Sequence, residues 1–342
     1  PVTSVEMKYA ASTERVSSGV PALDDMFGGK GYYRASSILI TGTAGTGKSS
    51  LAAHFIDAAC ARGETCVFFS FEESPGQIIR NMRSIGIDLD RWVAKGLLRF
   101  QASRPTTFGL ELHLVKIHKV ITEFSPQIVV VDPVTALLNS GSVAETNSML
   151  LRLVDFLKES QVTALFTTLT SGSDAQEQTQ VNISSLVDTW ILLRDIENGG
   201  ERNRGIYILK SRGVAHSNQI REFVLTDHGV QLRNVYLGEA GLLTGSARVS
   251  QEARDEMAAL TARQDIDRQK FLLERKRQAL DAQIAALRVE LESDAQESRQ
   301  RISQAELKVK KWEQARNDMA ASRSPKSDRL TKGSEKTPGR HK

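Results

Sequence analysis

The segment GTAGTGKSS, which begins at Gly42, constrains this chain more than any other stretch. It matches the pattern G-x-x-x-x-G-K-[ST], follows an apolar run typical of a strand and precedes a run typical of a helix. Its glycines let the backbone curl so that N–H groups and the positive end of the helix surround anionic oxygens. The pattern predicts a loop that binds nucleotide phosphates, formed by Gly42, Thr43, Ala44, Gly45, Thr46, Gly47, Lys48, Ser49 and Ser50.

Five side chains are candidates for chemistry at these phosphates. Lys48 is expected to reach the β- and γ-phosphates, and the Ser49 hydroxyl to join the shell of a Mg²⁺ ion. Asp132 ends an apolar run and is the candidate carboxylate for that metal, but no acidic residue follows it directly. Glu72 and Glu73 end a strand predicted to lie next to the phosphate-loop strand. Either carboxylate can accept a proton from the attacking group, and Glu72 is also a candidate metal ligand. Repulsion between the two carboxylates is expected to raise the pKa of one of them.

Short β-branched runs alternate with longer amphipathic stretches over residues 17–235, which predicts parallel strands crossed by helices. The runs are too apolar for a half-exposed sheet, so we expect helices on both faces and an α/β fold. Two later runs alternate more regularly and predict an antiparallel hairpin at one edge. The predicted strands are residues 36–42, 66–73, 127–133, 162–170 and 188–195, with the hairpin formed by 204–212 and 220–233.

Composition argues against a membrane protein. The chain has 342 residues, of which 40% are hydrophobic and 25% charged, and no apolar run approaches the roughly 20 residues that span a bilayer. The start does not resemble a secretory leader, so we expect a cytoplasmic protein. Cys60 and Cys66 are expected to be small buried apolar residues, with a disulfide or a metal pair as the alternative. Residues 322–342 are basic and rich in Ser and Pro, which predicts a disordered tail.

A long stretch near the C-terminus, residues 249–321, predicts one continuous helix. From Ser250 to Ala321 it contains no Gly or Pro and is rich in Ala, Glu, Arg, Gln and Leu. Apolar or small residues recur at steps of three and four, as in the seam of a coiled coil. We expect this stripe to pair with another copy of the chain, although packing on its own domain is an alternative. The stripe comprises Leu280, Ile284, Leu287, Leu291, Ala295, Ser298, Ile302, Ala305, Val309 and Trp312.

Several segments together resemble the KaiC circadian-clock ATPases, a branch of the RecA-like P-loop NTPase fold. They are RVSSGVPALDDMFGGKGY, the phosphate loop, FSFEES, VVVDPVTALL and KSRGVAHSNQIREF. The likeness covers roughly residues 14–234 and is strongest to the second ATPase domain of that family, which carries autokinase activity. The resemblance implies a hexameric ring that binds ATP/ADP and Mg²⁺ between neighbouring subunits. It also implies that a further ATPase domain precedes residue 1 and that residues 1–16 are a linker, with the ATPase domain over 17–248.

The resemblance also implies roles for individual residues. Ser184 and Ser185, in the segment NISSLVD, match the pair of hydroxyl residues that the family phosphorylates, and Thr179 matches a nearby third position. Lys210 and Arg212 match cations that a neighbouring subunit contributes to the triphosphate. The remaining residues that match nucleotide contacts are Arg204 and His216.

Partners follow from the same resemblance. A KaiB-like clock partner is implied, whereas the C-terminal peptide that recruits KaiA in the family is replaced here by the predicted coiled coil. We therefore expect no dependence on KaiA, and two rings joined through the coiled coil are a further expectation.

Two alternatives to a self-phosphorylating ATPase stay open. The same core builds recombinase-like motors on DNA, but the chain shows no basic loop with interleaved aromatic residues, and the segment SGSDAQEQTQ is polar. DNA is therefore not an expected partner. The other alternative is an ATP-gated scaffold without kinase activity, in which the C-terminal helix is the output.

Overall fold

A computed structural model describes residues 11–170, 183–198, 200–238 and 241–323. The strands are β1 Arg15–Val16, β2 Tyr32–Tyr33, β3 Ser37–Gly42, β4 Cys66–Ser70, β5 Leu98–Ala102, β6 Ile128–Asp132, β7 Thr163–Leu169, β8 Thr189–Asn198, β9 Glu201–Ser211, β10 Arg221–Thr226, β11 Gly229–Asn234, β12 Tyr236–Gly238 and β13 Gly241–Leu243. The helices are α1 Pro21–Met26, α2 Lys48–Ala61, α3 Pro75–Arg83, α4 Asp90–Ala94, α5 Leu110–Phe124, α6 Val143–Glu159 and α7 Gly245–Ser322, with 3₁₀ turns at Pro105–Thr107 and Val134–Ser140.

The central sheet has nine strands in the order β11-β10-β9-β8-β3-β7-β6-β4-β5. The strands from β8 to β5 in this order run parallel, and β9, β10 and β11 complete one edge in antiparallel fashion. This confirms the predicted α/β fold with a mostly parallel sheet of the RecA-like P-loop class.

Two apolar clusters cover the two faces of this sheet. Because successive side chains of a strand point to opposite faces, Ile38 and Ile40 of β3 enter one cluster and Leu39 enters the other. The first cluster includes α2, and the second includes residues of α5 and α6. Burial of each large apolar side chain contributes about 1.5–3 kcal/mol, so burial on both faces explains why the strands are continuous apolar runs.

Four details of the predicted sheet were wrong. The run at 66–73 ends as a strand at Ser70, and β4 is separated from β3 by β7 and β6 rather than lying beside it. The run at 220–233 is two strands, since Thr226 pairs with Gly229 across a tight turn. The edge strand β5 was not predicted, because its sequence LRFQA is only partly apolar. The separation of β4 from β3 arises because α2 connects two strands that have β7 and β6 between them, and local periodicity does not reveal strand order.

The chain divides into two compact units, Pro1–Asp255 and Glu256–Lys342. The predicted long C-terminal helix is confirmed as α7, and it begins a few residues earlier than expected, at Gly245. In the first unit, the buried carboxylate of Glu222 accepts a hydrogen bond of 2.9 Å from the Gly245 N–H, where the helix dipole favours a negative charge. Among the described residues, no helix is both long and apolar enough to cross a membrane.

Candidate nucleotide site

The phosphate loop lies between β3 and α2, where the sequence places it. Gly45 and Gly47 have φ values of +80° and +103°, a region that side chains with a Cβ rarely adopt. A Cβ on Gly47 would lie 2.6 Å from Cε1 of Phe223, so the loop is also packed tightly against β10. Glycine is therefore required at Gly47 by both backbone conformation and space.

Lys48 is the first residue of α2, and its side chain extends back to the phosphate loop. Its Nζ donates to the carbonyl oxygens of Gly42 at 2.8 Å and Thr43 at 2.7 Å. Burial lowers the pKa of Lys48 to about 8, against the opposing effect of Asp132 and two other carboxylates. The ammonium group is therefore partly desolvated, and an anionic phosphate would restore the interactions that favour its charged form.

A candidate metal-binding corner lies where α2 meets β6. The Ser49 hydroxyl donates to Asp132 Oδ2 at 2.6 Å, and the hydroxyl of Thr167 on β7 donates to Asp132 Oδ1. Among the described residues there is no group of three or more His, Cys, Asp or Glu side chains that could hold a metal alone. Mg²⁺ usually binds through one or two carboxylates together with phosphate oxygens and water, so this corner suits Mg²⁺ bound with a nucleotide.

Glu72 and Glu73 follow β4 and are both exposed. The pKa of Glu72 is raised by partial burial first, then by the negative charge of Asp132, while Lys48 lowers it. Glu73 is a smaller cause of the increase, so the expected rise of one pKa has a different main origin from the repulsion within the pair. Although β4 is not next to β3, Glu72 is close enough to Asp132 and Lys48 to respond to their charges.

A second polar cluster lies near the Ser37 end of β3. Lys210 Nζ donates to the carbonyl oxygen of Ser184 at 2.9 Å, and Arg212 Nη2 donates to that of Ser185 at 2.8 Å. Burial is the first cause of the lowered pKa of Lys210, and the neighbouring charge of Arg212 is the second. The structure therefore brings together the two predicted cations and the two predicted acceptor serines.

This cluster and the phosphate loop of the same chain lie at different ends of the sheet. Asp188 accepts from Ser37 N at 2.9 Å, and its N–H donates to the Ser37 carbonyl, which aligns the serine segment with the start of β3. The loop follows Gly42 at the other end of this strand, about 17 Å away at the rise of an extended chain. One chain by itself does not bring Arg212 to its own phosphate loop.

Arg204 and His216, the other predicted nucleotide contacts, lie in two different places. Arg204 lies opposite Asp195 in the register of β9 with β8, at the phosphate-loop end of β9 and away from Lys210. His216 lies in the loop between β9 and β10, with Nδ1 3.3 Å from the Val214 carbonyl oxygen. Thr179 lies outside the described residues.

The sequence interpretation missed three polar residues at these sites. Thr167 contacts Asp132, and Asp195 accepts hydrogen bonds from Thr43 at 3.1 Å and Arg202 at 2.7 Å. Asp188 forms a 2.9 Å ion pair with Lys158. In the sequence, each of these residues is visible only as a polar residue within or beside an apolar strand. Strand periodicity does not show which distant group such a residue contacts.

Comparison with known proteins gives consistent matches. A family model described as "ATPase: KaiC" matches residues 16–235. The circadian clock protein KaiC2 of Synechocystis sp. is 49% identical over 299 residues, 87% of this chain and 53% of that protein. The circadian clock oscillator protein KaiC of Thermostichus vulcanus is 36% identical over 264 residues, 76% of this chain and 50% of that protein. The chain thus spans about half the length of these curated relatives.

Proposed function

The chain belongs to the KaiC ATPase family, and from this premise we propose that it hydrolyses ATP in a ring of six identical subunits and phosphorylates its own Ser184 or Ser185. The observation that carries this proposal is the separation of two half-sites. The phosphate loop lies at one end of β3, and Lys210 and Arg212 lie with the serines near the other. In a head-to-tail ring, each half-site meets the complementary half-site of the next subunit.

The residues of one composite site divide the chemistry between them. The phosphate loop and Lys48 would hold the triphosphate. Ser49 and Asp132 would hold Mg²⁺, which would neutralise phosphate charge. A serine Oγ of the neighbouring subunit attacks the γ-phosphorus in line. The new O–P bond forms as the bond to the β–γ bridging oxygen breaks, and ADP leaves.

The proton of the attacking hydroxyl goes to a nearby carboxylate. Glu72 or Glu73 accepts it, and the raised pKa of Glu72 makes its carboxylate a stronger proton acceptor than an ordinary glutamate. Attack by water in place of serine gives hydrolysis with the same proton acceptor. Lys210 and Arg212 of the neighbour stabilise the charge on the transferred phosphoryl group.

Incubation of the purified chain with Mg·ATP, followed by phosphosite mapping with mass spectrometry, tests this function. We expect phosphate on Ser184 or Ser185 and none at these positions in a Glu72→Gln, Glu73→Gln variant. A Ser184→Ala, Ser185→Ala variant should still hydrolyse ATP, because its phosphate loop is unchanged. ATP turnover in the unaltered chain without modification of either serine would contradict the kinase activity and leave an ATPase.

We propose further that residues 249–321 form a coiled coil between copies and join two rings. We also propose that residues 17–248 are the ATPase domain, that the protein acts in the cytoplasm with a KaiB-like partner, and that it needs neither KaiA nor DNA. The apolar side chains of the proposed stripe are largely exposed along α7, for example Leu287 at 63% and Leu291 at 70%. Pairing of two copies would bury this stripe at about 25 cal/mol per Å² of apolar surface.

Charged residues in the stripe are expected to reduce the size of the assembly. Leu287→Glu with Leu291→Glu should halve the particle mass measured by light scattering, because unpaired carboxylates in a buried seam are costly. The matched control is Val289→Glu, since Val289 is 68% exposed but lies outside the stripe. An unchanged mass in the Leu287, Leu291 variant would contradict pairing through this seam.

A further inference from the structure

The backbone of the serine pair is the acceptor for both basic side chains of its own chain. Lys210 donates to the carbonyl of Ser184, and Arg212 donates to that of Ser185. A carbonyl oxygen is a neutral acceptor, whereas a phosphate adds the attraction of its negative charge and can accept two parallel N–H···O bonds from one arginine. These two cations are therefore held at the serines by acceptors that a nearby anion would outcompete.

The serine segment is fixed on both sides, so the cations and serines stay together. Ile183 and Val187 are buried, at 1% and 0% exposure, and Leu186 N donates to the Ile183 carbonyl in a turn. Asp188 then ties the segment to Ser37 through two bonds of 2.9 Å. Buried apolar anchors and this carboxylate restrict the turn, because moving it would expose both anchors to water.

The surrounding charges leave the two cations available to an anion. Asp188 is the nearby carboxylate, but it is already paired with Lys158 at 2.9 Å, while Arg212 Nη1 lies 3.9 Å from it. The cluster of Lys158, Lys210 and Arg212 with Asp188 thus carries an excess of positive charge. Mutual repulsion contributes to the lowered pKa of Lys210, and an added anion would relieve it.

We propose that Lys210 and Arg212 form an intrachain binding site for the phosphoryl group of phosphorylated Ser184 or Ser185. Only Cα and Cβ separate the carbonyl carbon of a serine from its Oγ, so a phosphate there lies close to donors already bound to that carbonyl. A phosphoserine carries about −1.5 to −2 charges at pH 7 and three strong acceptor oxygens. It would replace the neutral carbonyls as the partner of both cations.

This site has a consequence for the ring, and that consequence rests on the proposed function. Lys210 and Arg212 cannot bind the phosphoserine of their own chain and the γ-phosphate of a neighbour's ATP at the same time. Phosphorylation of one subunit therefore withdraws cations from the adjacent nucleotide. The product of the kinase reaction limits the next turnover at that interface.

The binding site itself is tested by installing phosphoserine at position 185 through an expanded genetic code and titrating it by ³¹P NMR in the full chain. Its second pKa, ordinarily about 6, should be lowered by the adjacent cations and should return towards 6 in the Lys210→Ala, Arg212→Ala variant. Phosphoserine at Ser125, on an exposed turn after α5, is the matched control and should titrate alike in both backgrounds. An equal pKa at position 185 in both backgrounds would overturn the proposal.

ATP turnover by the same proteins tests the consequence separately. Phosphoserine at position 185 should lower turnover at least tenfold in the unaltered background and add little to the loss in the Lys210→Ala, Arg212→Ala variant. Equal fold-losses in both backgrounds would overturn the competition. If the two alanine substitutions leave the turnover of the unmodified chain unchanged, the proposed role of Lys210 and Arg212 at a neighbour's nucleotide is wrong. The NMR titration still decides whether the intrachain site exists.

Discussion

Replacement of Glu72 by Gln is expected to lower ATP turnover by about 10²- to 10⁴-fold, the usual contribution of a positioned acid or base. Partial burial raises the pKa of Glu72, and the charges of Asp132 and Lys48 also affect it, so its carboxylate lies near the candidate metal-binding corner and the phosphate loop. Gln keeps the size of the side chain but cannot accept the proton. Phosphate release measures turnover, and binding of a fluorescent nucleotide checks that the loop is intact.

Glu73→Gln is the matched comparison, because it makes the same change one residue away. We expect a smaller loss, since Glu73 acts on Glu72 only as a lesser neighbouring charge. The pH dependence supplies a second readout. A base with a raised pKa loses its proton-accepting form as pH falls through that value, so turnover should decrease on the acid side at a higher pH than an ordinary carboxylate gives. A larger loss in Glu73→Gln would assign the base to Glu73.

Removal of Lys210 and Arg212 is expected to lower ATP turnover more than Glu72→Gln does. Lys210→Ala with Arg212→Ala should lower turnover by about 10³- to 10⁵-fold, the range for an arginine supplied across an interface in related NTPases. Nucleotide binding should change much less, because the phosphate loop and Lys48 of every chain are unaltered. Single-turnover hydrolysis and equilibrium binding distinguish these effects.

Mixing two inactive variants tests whether the cations come from a neighbour. A Lys48→Ala chain keeps the cations, and the Lys210→Ala, Arg212→Ala chain keeps the phosphate loop. Each composite site takes its phosphate loop from one subunit and its cations from the next. In a randomly mixed head-to-tail ring, about a quarter of the sites should therefore receive both intact parts. Each variant alone is the control. If the mixture stays as inactive as its components while mixed rings are shown to form, Lys210 and Arg212 do not act on a neighbour's nucleotide.

Local sequence was sufficient for the phosphate loop but not for the groups around it. The loop from Gly42 to Ser50 is contiguous, and its glycine conformations and following helix depend on neighbouring residues. The strand assignments for β3, β6 and β7 also followed from apolar runs. By contrast, the expected adjacency of the Glu72 strand to β3 was wrong, since strand order depends on which distant apolar faces pair.

The amino-acid sequence by itself determined the phosphate loop, the α/β alternation and the long C-terminal helix, because each depends on residues close along the chain. Only the tertiary structure decided that Thr167 reaches Asp132, that Asp195 holds Thr43, and that Lys210 and Arg212 rest on the serine carbonyls. These contacts join strands that are distant in sequence. The geometry of these contacts follows from strand order and register in the sheet. The same local elements could be arranged in many ways, and the need to bury apolar side chains on both sheet faces selects one of them.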